Sequence, residues 1–206
     1  MTPGAALPEP ASGPVPPHAH VPGPVTLRTD RLVLRQWRES DVAPFAAMGA
    51  DPEVMRHFPS LLTAEQVDAA VARFSHRIAT TGWGLWALER DGEFIGFTGL
   101  SVPSFEAAFT PCTEIGWRLA RHAWGKGYAT EAARAALAFG FERLELPEIV
   151  SFTAVQNAPS RAVMERIGMV RDPADDFAHP TLPVDSPVSA HVLYRIARLA
   201  DAPVTK

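Results

Sequence analysis

Lysine is almost absent from this chain: of 19 basic residues only Lys126 and Lys206 are lysines, the rest being arginine. With a formal net charge of −4 there is no electrostatic footprint for nucleic acid. Cysteine occurs once, at Cys112, which excludes an internal disulfide framework and fits a reducing compartment. No apolar run reaches the length of a membrane span. The first basic residue is Arg28, so the start of the chain also lacks the basic residue and apolar core of a secretory signal. The expectation is a cytoplasmic protein with no nucleic-acid or membrane partner, monomeric or homodimeric. What is present is 206 residues at 47% hydrophobic content, enough for one domain with a substantial core.

Proline is abundant but unevenly placed. Eight of the 20 prolines fall within residues 1–24, where large apolar side chains are scarce. Such a segment buries too little surface to offset its ordering entropy, so residues 1–24 are expected to form an extended, disordered tail. His18 and His20 lie within it and carry no metal-site reading. The globular domain is expected over 25–199, with a second short tail at 200–206.

Within the domain, alternation marks a first strand over 32–37, and Ser40 is placed to cap a short helix through Val42, Phe45 and Met48. Thr63-Ala64-Glu65-Gln66 has capping-box spacing and opens a helix with Val67, Ala70, Val71, Phe74 and Ile78 on one face, closed by Gly82. Strands over 84–89 and 94–100 are joined through Asp91-Gly92, a hairpin signal. Further strands are expected over 113–119, 149–155 and 190–197. Between the first two of these lies a helix over 129–144. A short helix starts at Asn157, and residues 172–188 read as a long irregular loop. The order predicts a mixed α/β domain with a twisted central sheet.

The stretch that carries chemistry is Trp124-Gly125-Lys126-Gly127-Tyr128-Ala129-Thr130-Glu131, a strand-to-helix turn with two glycines. There the backbone can approach a ligand closely, and the free amides and dipole of the following helix favour a phosphate. Two nucleotide motifs fail. The P-loop needs four residues between its glycines and a Lys-Ser/Thr pair after them. The dinucleotide fingerprint needs a third glycine where Thr130 stands, and an acid where the next strand ends in Gln156-Asn157.

That stretch instead resembles the acetyl-CoA pyrophosphate loop of the GNAT N-acetyltransferase superfamily, in a branch similar to the ribosomal-protein N-terminal acetyltransferases. Further matching pieces run in the family's order: Arg31-Leu32-Val33-Leu34-Arg35, Ile95-Gly96-Phe97-Thr98-Gly99-Leu100, Glu114-Ile115-Gly116-Trp117, Asn157-Ala158-Pro159-Ser160 and Ile167-Gly168-Met169. His122 stands where the superfamily pattern has Gln or Arg. The resemblance implies a mostly antiparallel twisted sheet flanked by helices, with one parallel strand pair splayed to hold the arm of acetyl-CoA. It also implies a cofactor site built from Trp117, Arg118, Leu119, His122, Trp124, Gly125, Lys126, Gly127, Tyr128, Ala129, Asn157 and Ser160, with no metal. The implied reaction is attack of a primary amine, on a protein N-terminus or a small molecule, directly on the thioester in a ternary complex.

That reaction needs a proton acceptor, an oxyanion donor and an acid for the departing thiolate. Glu114 is the base candidate by its match to a family glutamate; the competing reading is a strand carboxylate paired with an arginine. Backbone amides near Trp117, Arg118 and Leu119 are implied as partners of the cofactor arm. Ser160 is the candidate acid, or simply a serine of a helix's first turn. The chain's two tyrosines, Tyr128 and Tyr194, leave the acid role unsettled. Cys112 has no base near it in sequence and reads as inert. The resemblance implies that the late loop, flanked by His179 and His191, and the loop around His57 border the acceptor pocket; the competing reading of both histidines is a core or surface role. Two rival functions stay open: an NAD-using oxidoreductase and a non-catalytic acyl-CoA binder.

Overall fold

The structure is a computed structural model that describes residues 21–198, so residues 1–20 of the tail expected over 1–24, and the tail expected over 200–206, lie outside the described residues. Strands β1 (Leu27–Arg28) and β2 (Val33–Arg35) lead into helices α1 (Val42–Ala50), α2 (Pro52–Met55) and α3 (Ala64–Thr81). Strands β3 (Leu85–Arg90), β4 (Glu93–Ser101) and β5 (Glu114–Leu119) follow as a meander. Helix α4 (Tyr128–Glu142), strand β6 (Glu148–Ala154), helix α5 (Ala158–Arg166) and strands β7 (Val170–Arg171), β8 (Phe177–Ala178) and β9 (Ala190–Ala197) complete the domain. The sheet runs β1-β2-β3-β4-β5-β6-β9-β7, with β8 also on β9, and every neighbouring pair is antiparallel except β5 with β6. This is the mixed, mostly antiparallel α/β sheet that the resemblance implied.

Local chemistry sets the boundaries. Thr63 Oγ accepts from the Gln66 amide and Gln66 Oε1 from the Thr63 amide, so the capping box starts α3, and Gly82 at φ 85° ends it. Asp91 and Gly92 both take positive φ, the turn that suits the twist of a two-residue hairpin. Ser40 does not cap α1. The carboxylate of Asp41 does the local bonding, accepting from the Arg38 amide while it holds buried Arg35 at 2.7 and 2.9 Å. The first strand is also shorter than expected, since Trp37 leaves it to bond Leu85 O and to pack edge-on against Phe45 in the core.

The N-terminal boundary shifts. Residues 21–24, read as tail, are packed on the domain: Val21 donates to Thr81 O at 3.0 Å and Val25 to Gly82 O at 2.9 Å. The physical reason is the left-handed Gly82, which leaves carbonyls at the end of α3 without helical partners. The segment supplies those donors while Val21 and Val25 cover the core. The loop over 172–188 holds strand β8, and β7 lies just before it. Two-residue strands carry too little alternation to be legible.

Strand alternation assigns the two faces of the sheet. Phe97 packs on Phe45 and Phe74, which puts α1 and α3 on its face. Gly140 of α4 approaches Leu100, three residues on and therefore on the opposite face. The register places Arg118 beside Phe97, Gly116 beside Gly99 and Glu114 beside Ser101. Glu114, Gly116 and Arg118 thus lie on the α1–α3 face, with α4 behind the sheet.

Candidate active site

The parallel pair is joined only at its start. Val150 is the single ladder partner, of Glu114; the Val150 amide donates to Thr113 O, and Ser151 Oγ donates to Ile115 O at 2.8 Å. Beyond that point β5 and β6 part. The Ser151 bond shows that the backbone of Ile115 points toward β6. With period two, the backbone groups of Trp117 and the amide of Leu119 point into the gap. The Ala120 amide donates to Ile95 O, so the even-numbered residues bond β4 instead. Arg118 therefore directs its amide away from the gap, and its side chain lines the cleft on the α1–α3 face.

A cleft of about 840 Å³ follows the gap, from the glycine turn to the loop around His57 and across to the late loop. At its α4 end, Gly125 (φ 72°) and Gly127 (φ 79°) take the left-handed conformation that glycine adopts without strain. A Cβ on Gly125 meets nothing within 4 Å, so a ligand can lie directly on this backbone. The amides of Gly125, Lys126 and Gly127 donate to no group among the described residues, and no side chain caps the first turn of α4. A run of free amides at a helix N-terminus is an anion cradle, which suits a pyrophosphate. Tyr128 and Ala129 line this end, and Trp124 Nε1 pins the turn to Leu119 O at 2.8 Å.

Two expected members fall outside the cleft. His122 faces a different hollow, with Nε2 3.4 Å from Glu93 Oε1. Lys126 is exposed and does not line the cleft. Instead a clamp invisible in the local sequence holds the turn. Arg31 donates to Lys126 O at 3.0 Å and pairs with Glu131, which also accepts from Thr29 Oγ1 at 2.6 Å. Its partners are some 100 residues apart, so no spacing rule finds them.

Glu114 lines the cleft where the strands part, and within the described residues it makes no ion pair; Ser101 Oγ, at 3.3 Å, is its one hydrogen-bond partner. Burial pushes its carboxyl up to about 8, against the Ser101 hydrogen bond, which acts the other way. The arginine-paired alternative has no arginine to supply it. Ser160 also lines the cleft, and its hydroxyl has no partner among the described residues. Asn157 is committed elsewhere: its Oδ1 caps α5 through the Ser160 amide at 3.3 Å, and its Nδ2 bonds Thr153 Oγ1 at 2.9 Å. It positions Ser160. Tyr194 bonds Glu165 and lies outside the cleft, while burial pushes the Cys112 thiol up to about 12, an inert group.

The late loop brings His179 and His191 into the cleft wall, ring centroids 4.9 Å apart, beside Phe105 and Phe152. Burial, with His191 adding, lowers His179 to about 4, so this wall is neutral at ordinary pH. Among the described residues no group of three or more His, Cys, Asp or Glu is placed to hold a metal, and no helix is long and apolar enough to cross a membrane. The antiparallel meander also differs from the parallel doubly wound sheet on which the dinucleotide fingerprint works, which removes the support for an NAD reading.

Comparison with known proteins points the same way. Residues 31–170 match the family described as Acetyltransferase (GNAT) domain. Bacillus subtilis YkkB, an uncharacterized protein, is 36% identical over 146 residues, spanning 69% of this chain and 84% of that one. The FsC-acetyl coenzyme A-N(2)-transacetylase of Aspergillus fumigatus is 35% identical over 152 residues, 70% of this chain and 64% of that protein. Among solved structures, RimL, a ribosomal L7/L12 alpha-N-protein acetyltransferase in complex with coenzyme A, aligns with a TM-score of 0.68. The alignment covers 86% of this chain and 100% of that one at 17% identity, so what is shared is the fold. A chain matched in sequence across residues 31–170, and folded as such enzymes are, belongs to the GNAT family of acetyl-CoA-dependent N-acetyltransferases.

Proposed function

We propose that this enzyme acetylates a primary amine by direct attack on acetyl-CoA in a ternary complex, with Glu114 receiving the amine's proton. Glu114 carries the reading. It is a carboxylate without an ion-pair partner among the described residues, set at the fork of the two strands, with its pKa raised to about 8 by burial. A free α-amino group has a pKa of about 7.7 to 8, so a proton passes between the two at little cost.

The other roles follow from position. The pyrophosphate rests on the amides from Gly125 into the first turn of α4, and the cofactor arm runs in the gap along Trp117 and Leu119. The Trp117 amide supports the developing oxyanion, and Ser160 gives its proton to the departing thiolate. Among similar proteins, RimL is a ribosomal-protein alpha-N-acetyltransferase and the Aspergillus enzyme is named for FsC, so a protein N-terminus and other amines both belong in the test. The test is release of free thiol from acetyl-CoA across a panel of peptides and small primary amines. Release above the rate of hydrolysis with at least one amine is expected; none with any of them would overturn the reading.

A further inference from the structure

Arg118 lines the same cleft, and among the described residues the interactions of its guanidinium are with aromatic rings alone. Its guanidinium lies 3.9 Å from the ring centroid of Phe58 and 5.5 Å from that of Phe97. Aromatic contact of this kind steadies the group while leaving its donors free to point outward. Among the described residues Arg118 makes no hydrogen bond or ion pair, and its Nε is buried without a partner. Arg35 holds Asp41, Arg171 holds Asp176 and Arg195 holds Asp175, whereas Arg77, which lies over the Trp83 ring away from the cleft, also has an Nε and Nη2 without partners among the described residues. Arg73 of α3 lines the same wall and also has an unpartnered Nε. Besides Glu114, the carboxylate lining the cleft among the described residues is Glu53, which is exposed and faces Arg56 at 3.7 Å. One end of the cleft is therefore cationic in a chain of net charge −4. The wall carrying His179 and His191 is neutral.

We propose that Arg118 binds an acid group of the acceptor, so that the preferred substrates are primary amines bearing a carboxylate. The inference rests on the acetyl-transfer reading and narrows it. A guanidinium whose Nε is buried without an acceptor is stabilised by a ligand that supplies one, and a carboxylate matches its fork with two parallel bonds. Gly116, between Glu114 and Arg118 on the same face, leaves the floor open: a Cβ there meets only Glu114 Oε1, at 3.8 Å. An acceptor can lie along this floor with its amine toward Glu114 and its acid toward Arg118. The phosphates of CoA are the rival source of negative charge. Against them stands the position of Arg118 on the face of Phe58 and Phe97, with α4 on the other.

The experiment compares paired acceptors that differ in one charge: 4-aminobutyrate with 4-aminobutyramide, and the peptide amides Ala-Asp-Ala and Ala-Asn-Ala. The parent is expected to favour the acid of a pair by about tenfold or more in kcat/KM, in the range of a charge-assisted bond. Arg118→Met is expected to bring that ratio close to one, and Arg118→Lys to keep part of it. Because each ratio is internal to one protein, partial loss of folded enzyme cancels. A parent that acetylates neutral amines as well as their acid partners overturns the proposal without touching the acetyltransferase reading. So does an Arg118→Met variant whose ratio is unchanged while calorimetric titration shows CoA bound at least tenfold more weakly, since the guanidinium then serves the CoA phosphates. Acetylation of no amine at all defeats both readings.

Discussion

Glu114 and Arg118 stand four residues apart on one face of β5, separated by an open glycine position, and neither has a charge partner among the described residues. On an extended strand that spacing is about 13 Å between α-carbons. Burial acts on both in the direction that disfavours charge, raising the carboxyl to about 8 and lowering the guanidinium to about 10. Arg118 stays charged at neutral pH, whereas Glu114 is mostly protonated there. A protein that leaves two such groups uncompensated in one cleft gains little stability from them, which makes a ligand their natural counterpart.

Glu114→Gln should cut kcat by about a hundredfold or more while CoA still binds, the range of general-base catalysis. The parent's acid limb should show an apparent pKa near 8 that stays put as acceptors of different amine pKa are used. The variant's residual rate should track each acceptor's own titration instead. If both proteins follow the acceptor alone, Glu114 is structural and the amine arrives neutral.

The same carboxyl makes stability depend on pH. Its pKa is raised from 4.5 to about 8 on folding, so between those values the native state keeps a proton that the unfolded chain has released. The contribution is present in full below about 4.5 and is lost as pH rises through 8. Glu114→Gln lacks this loss. Its melting temperature relative to the parent should climb by several degrees from pH 5 to pH 9 in a thermal series. A constant difference across that range would show that Glu114 titrates normally.

Gly127→Val should weaken CoA binding at least tenfold in calorimetric titration. The left-handed φ of 79° is unfavourable for any side chain by roughly 1–2 kcal/mol, more for a β-branched one, and relaxing it would displace the free amides. Lys126→Ala should change affinity less than about threefold, because the lysine is solvent-exposed and outside the cleft. Parent-like affinity in the valine variant would remove the pyrophosphate from this turn.

Two truncations test the N-terminal boundary. Removing residues 1–20 should leave the melting temperature within about a degree. Removing 1–24 deletes the Val21 bond to Thr81 O and the cover over the end of α3, and should lower it by about 2–4 °C. Equal melting temperatures for the two truncated proteins would show that residues 21–24 add nothing.

The elements legible in the sequence were those whose cause is local. The capping box at Thr63, the glycine stop at Gly82, the Asp91-Gly92 hairpin and the two-glycine turn ahead of α4 each depend on residues within a few positions of one another. Hydrophobic period assigned the long helices and strands for the same reason. Strands of two residues carry no period, and the pairing of Val21 with the end of α3 joins segments 60 residues apart, so neither was readable.

By itself the sequence determined where a two-glycine turn opens a helix and which carboxylate stands on the strand before it, because glycine conformation, free helix amides and strand order are properties of neighbours along the chain. Tertiary structure alone decided the surroundings of each group. It turned His122 toward Glu93, committed Asn157 to its helix cap, clamped the glycine turn with Arg31 and Glu131, and left Glu114 and Arg118 without ion-pair partners among the described residues. Burial and pairing are sums over everything that comes near a side chain, and most of what comes near lies far away in sequence.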